Sequence, residues 1–397
     1  MLKRTLQFNE YTIAAMEDEY MNFALDPKHL AIMSEAKKFA KSVEHLAPEA
    51  DESSVVHEGM LAALRDSGLS SLMVPAEYGG RTERLDPLAI CLVREALMSS
   101  SAHADSLFAL QGIGSYAITA AGSPEQRSLW LPKVASLEVL PALALTEPDV
   151  GSDLKQVSTR IVDEGGQLRV TGSKSFISNG VGASFFIVFG KESDGSFSMV
   201  LVPADMPGVS VTSTPELMAP HILGEIRFDD VLLPSSARLG EVGQGLELVL
   251  ATLGVFRVSV GGAAVGLAQA ALEEAVRHTR QRVQFGRPLA KLGPVAQMLA
   301  DCWSEVEMAR LLTYRAAWIA SGDPSNALNH SSMAKLAATE MASRVVDRCV
   351  QMMGRFGLIR NSKIERLYRQ ARPMRIYEGA SEVLRLGIAK TLTEQVK

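Results

Sequence analysis

The stretch "LRVTGSKSFISNGVGASFFIVFG", residues 168–190, interrupts a chain that otherwise reads as helical. Its β-branched and aromatic residues come in short runs with a period near two, punctuated by "TG" and "SNG", and that pattern predicts strands. The same texture extends from about Pro141 to Leu239 through "FSMVLVP", "VSVTS" and "IRFDDVLLP", separated by turns such as "DEGG" and "ESDGS". Upstream, from about Pro27 to Val134, apolar residues recur at spacings of three and four, as in "HLAIMSEAKKFAKSVEHLA" and "GMLAALRDSGL", which predicts helices. Downstream of "GEVGQG", long amphipathic segments return from Leu246, separated by "FGRP" and "SGDPSN". Helix, then strand, then helix is not the alternation of a doubly wound parallel sheet. The expected class is α+β, with a helical domain over 1–140, a β-domain over 141–240 and a second helical domain over 241–397.

Composition narrows the function classes. A chain of 397 residues with 47% hydrophobic content has ample core, and its formal charge of -5 gives no basic excess for nucleic acid. Cys91, Cys302 and Cys349 lie far apart without CxxC spacing, so neither a disulfide framework nor a cysteine metal site is expected. The start, "MLKRTLQFNEYTIAAMEDEYMNF", lacks an apolar run of signal-peptide length. Windows such as "LEVLPALAL" are broken by Pro or charge before the ~20 residues of a membrane span. We therefore expect no membrane partner.

Absent motifs prune further. No GxGxxG follows a strand, and "GGAAVG" at 261–266 lies in a helical pattern where small residues allow close packing. There is no P-loop, no HExxH and no GxSxG. His221 in "APHILGE" reads as a loop residue rather than a catalyst.

Five stretches carry candidate chemistry. In "ALTEPDVGSD", residues 144–153, the hydroxyls of Thr146 and Ser152 flank a turn that can aim polar groups at a ligand or cap the next segment. In "GSKSFISNG", residues 172–180, strand alternation puts Phe176 and Ser178 on one face, suited to a flat heteroaromatic ligand or to a core strand. "RQRVQFGRPL" (280–289) and "QMMGRFG" (351–357) offer Arg282, Phe285, Gln351 and bare glycine backbone, a set suited to a diphosphate and an adenine. Last, "RIYEGASEVLR", residues 375–385, places Glu378 before a glycine, which reads as a link between helices. The arginines at 366, 369, 372 and 375 read as a salt-bridged or solvated face.

Taken together and in order, these motifs resemble those of the acyl-CoA dehydrogenases over roughly residues 27–395. The resemblance implies an N-terminal helical domain, a central β-barrel or sandwich and a C-terminal four-helix bundle. It implies FAD as cofactor, with its adenine end contacted by a neighbouring subunit, and hence a homodimer or homotetramer. Thr146 then corresponds to a hydrogen-bond partner of the flavin ring, and Ser152 to a residue beside flavin and substrate. Phe176 takes the place of a ring packed on the flavin, and Ser178 that of a threonine at the flavin N5 edge. Arg282, Phe285, Gln351 and Gly354 resemble the residues that hold FAD across the subunit contact. Arg257, Tyr377 and Gly379 fall beside the substrate.

In the same way Glu378 matches the family's general base, which takes the proton from C2 of an acyl-CoA while a hydride leaves C3 for the flavin. An alternative base position on the preceding helix is here Phe256. Three positions depart from the family pattern: Arg355 replaces the second glycine of Gly-Gly, Gln370 replaces an aspartate of an expected ion pair, and Ala380 replaces a threonine. The segment matching the acyl pocket, "SSSAHADSLFALQG" (99–112), carries His103 and Asp105 but no arginine. That argues against a dicarboxylic substrate, and it leaves His103 and Asp105 either reaching a substituted or cyclic acyl chain or lying on a helix surface. An electron-transfer flavoprotein is the implied electron acceptor, with an acyl-CoA oxidase or a non-catalytic scaffold as alternatives. A bacterial cytoplasm is the expected location, with a mitochondrial matrix protein as the alternative.

Overall fold

The computed structural model describes residues 24–322 and 324–396, so the N-terminal stretch examined for a leader lies outside the described residues. Among the described residues seven α-helices come first: α1 (Pro27–Val43), α2 (Ala47–Ala50), α3 (Glu58–Ser67), α4 (Pro87–Met98), α5 (Ala102–Ile113), α6 (Tyr116–Ala121) and α7 (Pro124–Ala135). Local chemistry sets several starts. Asp26, Asp86 and Ser123 cap α1, α4 and α7 ahead of a proline in the first turn, where the missing N–H costs nothing.

The strands follow: β1 (Pro141–Ala144), β2 (Arg160–Asp163), β3 (Gln167–Ser178), β4 (Phe185–Lys191), β5 (Phe197–Pro203), β6 (Val209–Ser213), β7 (Leu223–Pro234) and β8 (Arg238–Leu239). They form one sheet in the order β6-β7-β3-β2-β4-β5-β8, with β1 added in parallel to β4. Both faces are covered, which explains the continuous apolar run of β4. Phe185, Ile187 and Phe189 pack with Ile118, Leu131 and Val134 of the helices. Phe186 and Val188 meet Ile161, Val170, Val200 and Phe228 on the other face.

After the sheet, α8 (Gly245–Gln281) leads through the short hairpin β9 (Val283–Gln284) and β10 (Arg287–Pro288) into α9 (Gly293–Gly322) and α10 (Pro324–Met353). Then come α11 (Lys363–Ala371) and α12 (Ser381–Gln395). Helices α8 to α11 share one core, built from residues such as Val265, Val306, Val345 and Leu367. The expectation that every apolar window is too short for a membrane needs correction, because α8 is long and apolar enough to cross one. Its apolar stretch is instead 83% buried inside the protein.

That burial depends on missing side chains. A Cβ at Gly262 would lie 2.5 Å from the carbonyl oxygen of Cys91, and one at Gly266 only 2.0 Å from that of Glu95. Helix α8 therefore lies directly on the backbone of α4, and the "GGAAVG" stretch is a packing device. Glu95 then accepts hydrogen bonds from Arg310 Nε at 3.1 Å and Tyr314 Oη at 2.8 Å, tying α4 to α9. Because the clash at Gly266 is with backbone, Gly266→Ala is expected to cost about 1–3 kcal/mol through overpacking, read as a lower urea midpoint with an unchanged slope.

Candidate active site

Glu378 occupies the link between α11 and α12 with φ +51, and Gly379 follows at φ +107. A left-handed glutamate costs of order 1–3 kcal/mol unless its surroundings impose it. Here two cations do so: Arg257 Nε donates to the Glu378 carbonyl at 2.8 Å, and Lys335 Nζ donates to the Gly379 carbonyl at 2.7 Å. Arg257 is itself held by Ser332 at 2.9 Å. With its backbone fixed from α8 and α10, Glu378 has its Oε2 buried and without a hydrogen-bond partner. Desolvation raises its pKa above the usual carboxylate range, opposed by the charges of Arg94, Arg257 and Lys335, with Asp105 adding to the rise. Burial also brings Lys335 down to about 8.

Asp105 and His103 are not helix-surface residues, since each is 4% exposed. Asp105 is clasped by Arg94, whose Nε and Nη2 reach its two oxygens at 2.9 and 2.7 Å while Nη1 donates to Ser259 at 2.9 Å. An arginine thus does enter this region, from α4 rather than from 99–112, but it is fully engaged. His103 Nε2 accepts from the His57 backbone N–H at 3.0 Å at the start of α3. Phe256, the alternative base position, packs edge-on against Tyr116.

The loop after β1 is anchored by Glu147, a residue the sequence reading passed over. Its carboxylate accepts from the backbone N–H and hydroxyl groups of Ser158 and Thr159 at 2.6–3.0 Å and from Lys174 Nζ at 2.9 Å. Burial alone would raise Glu147, but these donors outweigh it and hold it at about 2, whereas burial lowers Lys174 to about 8. The same loop places the Thr146 carbonyl 3.0 Å from the Ser175 N–H, and Ser152 is exposed on it.

Phe176 and Ser178 flank the buried Ile177, on a strand that is irregular just before them. The β3–β7 register shifts between Lys174 and Ile177, and Phe176 takes φ +53 and is half exposed. A bulge re-aims the ring. Ser178 Oγ is 3.3 Å from His221 Nε2, which is also 3.4 Å from Ser106 Oγ. His221 does lie in a loop, between β6 and β7, but it bridges hydroxyls of the helical and β-domains.

The third group is separate. Arg282, Phe285, Gln351 and Gly354 are all exposed, with Phe285 at the tip of the β9–β10 hairpin 90% exposed and at φ +52. Arg282 and Arg355 both lie over the Phe356 ring, at 5.9 and 5.1 Å. At about 1.5 Å per residue, Arg282 stands about 37 Å along α8 from Arg257.

Of the four stripe arginines, Arg366 meets Asp51 at 3.6 Å, Arg369 pairs with Glu52 and Glu365, and Arg375 pairs with Glu340 at 3.0 Å. Gln370 itself lies against the buried Asp51, which also accepts from Ser101 and the His103 N–H. Arg94, Lys335, Ser259 and Ser332 had no signal in the sequence, because a single polar residue in a helical pattern reads as surface. Glu147→Gln would leave Lys174 buried with no carboxylate, and a loss of about 3–5 kcal/mol is expected by urea unfolding.

Comparison with known proteins fits this geometry. Residues 26–138, 142–231 and 243–393 match, in order, the N-terminal, middle and C-terminal domains of acyl-CoA dehydrogenases. The cyclohex-1-ene-1-carbonyl-CoA dehydrogenase of Geobacter metallireducens is 35% identical over 87% of this chain and 92% of its own. Butyryl-CoA dehydrogenase from Megasphaera elsdenii superposes with a TM-score of 0.89 at 29% identity, covering 94% of this chain and all of that one. A glutaryl-CoA dehydrogenase from Mycobacterium smegmatis, solved with FADH2, gives 0.86 at 26% identity over 93% and 95% of the two chains. The chain belongs to the acyl-CoA dehydrogenase family and is an FAD-dependent oxidoreductase.

Proposed function

We propose that the protein removes hydrogen from C2 and C3 of an acyl-CoA thioester, giving the trans-2-enoyl product, with Glu378 as the general base. The observation that carries this reading is the buried, unpartnered Oε2 of a glutamate whose backbone is clamped from two helices. A carboxylate in that state gains from taking a proton, and one whose pKa is raised toward the working range does so most effectively. The clamp keeps the carboxylate in place while the thioester approaches. The Glu378 backbone N–H is the proposed donor to the thioester carbonyl, where negative charge develops. Tyr377, Gly379, Arg257 and Ser152 are proposed substrate neighbours, and Asp105 shapes the far side as a neutralised pair with Arg94.

FAD supplies the hydride acceptor when bound. The residues present fit it: Phe176 offers a half-exposed ring beside the Ser178 hydroxyl, and Gly354 has φ +57 with open space where a side chain would stand. Thr146, Ser152, Phe176 and Ser178 would hold the ring end. Arg282, Phe285, Gln351 and Gly354 are assigned to the diphosphate and adenine end of a neighbouring subunit's FAD, which the separation along α8 favours. A homodimer or a dimer of dimers follows. An electron-transfer flavoprotein is the proposed acceptor by family resemblance, and a bacterial cytoplasmic setting is proposed from the source of the Geobacter relative.

Glu378→Gln should retain FAD but lose about 10²–10⁴-fold in the rate of flavin bleaching by acyl-CoA under anaerobic conditions. The wild-type rate should rise as pH rises through the elevated pKa of Glu378, because the base works only when deprotonated. Arg94, Arg257 and Lys335 remain cationic through most of that range. A rate independent of pH down to the ordinary carboxylate range would count against the assignment.

Arg282→Ala should weaken FAD binding by about 10- to 100-fold, the worth of a charge-assisted hydrogen bond, measured by equilibrium dialysis. A monomer in light scattering that held stoichiometric FAD would contradict the cross-subunit role.

A further inference from the structure

The polar side chains around His221 are not needed to deprotonate a thioester. They nevertheless converge from separate segments: Ser106 from α5, Ser178 from β3 and His221 from the β6–β7 loop. Their neighbour Asp105 lies beside Ser106 on α5, and its charge acts on both His221 and Glu378. The cluster therefore includes the Ser178 hydroxyl, at the assigned ring end of FAD, and shares Asp105 with the surroundings of Glu378. On those assignments, an acyl chain that reaches both the base and the flavin edge runs beside these groups.

We propose that Ser106 and His221 form a specificity site for an acyl group bearing an uncharged hydrogen-bonding substituent, a hydroxyl or a carbonyl. The inference rests on the acyl-CoA reading above and deepens it. Two facts set the chemistry of the substituent. The contacts of His221 to the two hydroxyls, 3.3 and 3.4 Å, are longer than well-made hydrogen bonds, so each group retains capacity for a better partner. His221 is also neutral at ordinary pH, since burial brings it down to about 4, and it presents one N–H and one lone pair.

A carboxylate substituent is disfavoured beside Ser106. All three guanidinium nitrogens of Arg94 are engaged, two by Asp105 and one by Ser259, so an added anion there would meet the Asp105 carboxylate with no help from Arg94. An ammonium group is disfavoured by burial against an aspartate that Arg94 already neutralises. A purely alkyl chain gains nothing from the serine and histidine. A neutral group that donates and accepts uses both.

The test is a binding comparison in the Glu378→Gln holoenzyme, which separates this proposal from the base assignment because no turnover is required. Cyclohexanecarbonyl-CoA and its ring-hydroxylated isomers are titrated, and the perturbation of flavin absorbance gives each Kd. At least one isomer is expected to bind about 10-fold more tightly than the parent, the worth of one buried hydrogen bond. Adding Ser106→Ala, or separately His221→Phe, should reduce that ratio to about 2-fold or less. The inference is overturned if no isomer binds more tightly than the parent, or if the preference survives both substitutions in protein that retains FAD. Normal turnover by Glu378→Gln would sink the base assignment while leaving the binding ratio readable.

Discussion

Two backbone carbonyls held by two cations, Lys335 buried and Arg257 half-buried, govern much of this molecule. The carbonyls of Glu378 and Gly379 point at Arg257 of α8 and Lys335 of α10, and the left-handed link exists because those donors have no better acceptor. For the clamp to form, α8 and α10 must lie at fixed height and rotation. Their shared core of alanines and valines provides this, since small side chains admit few alternative registers. On the proposed role of Glu378 the helical bundle belongs to the catalytic apparatus, and the strained glutamate is maintained by packing many residues away.

Buried charge is handled the same way throughout. Arg94, Asp105 and Ser259 join α4, α5 and α8; Glu147 and Lys174 join a loop to β3; Asp51 joins the first helices to α5 through Ser101 and to α11 through Arg366. Such pairs contribute little net stability compared with apolar replacements, but losing one member is costly. Each occurs where separate segments meet, so each specifies a junction. Near Glu378 they hold Arg94 and Asp105 as a fixed pair, while Arg257 and Lys335 donate to backbone carbonyls.

The β-domain contributes by a different route. A regular β3 would have alternated its side chains into the sheet, whereas the bulge at 174–177 leaves Lys174 and Ile177 buried and turns Phe176 outward. The irregularity lets one strand serve both the core and the ligand face. The loop carrying Thr146 and Ser152 is fixed beside that strand by the Glu147–Lys174 pair, so hydroxyls on flexible-looking sequence have a rigid mount.

The order of helical, β and helical segments, the packing role of "GGAAVG" and the candidacy of Glu378 were all legible in the sequence, because periodicity and short motifs are local properties of the chain. Other features required the tertiary structure: the arginine beside Asp105, the cations under the Glu378 link, the buried Asp51 that meets Arg366, and the bridge made by His221. In each case the partners are far apart in sequence, and a lone Lys, Arg or His in a helix or loop looks the same whether it faces water or a buried acid. Charge partnership across the core is a property of the fold, and no single segment encodes it.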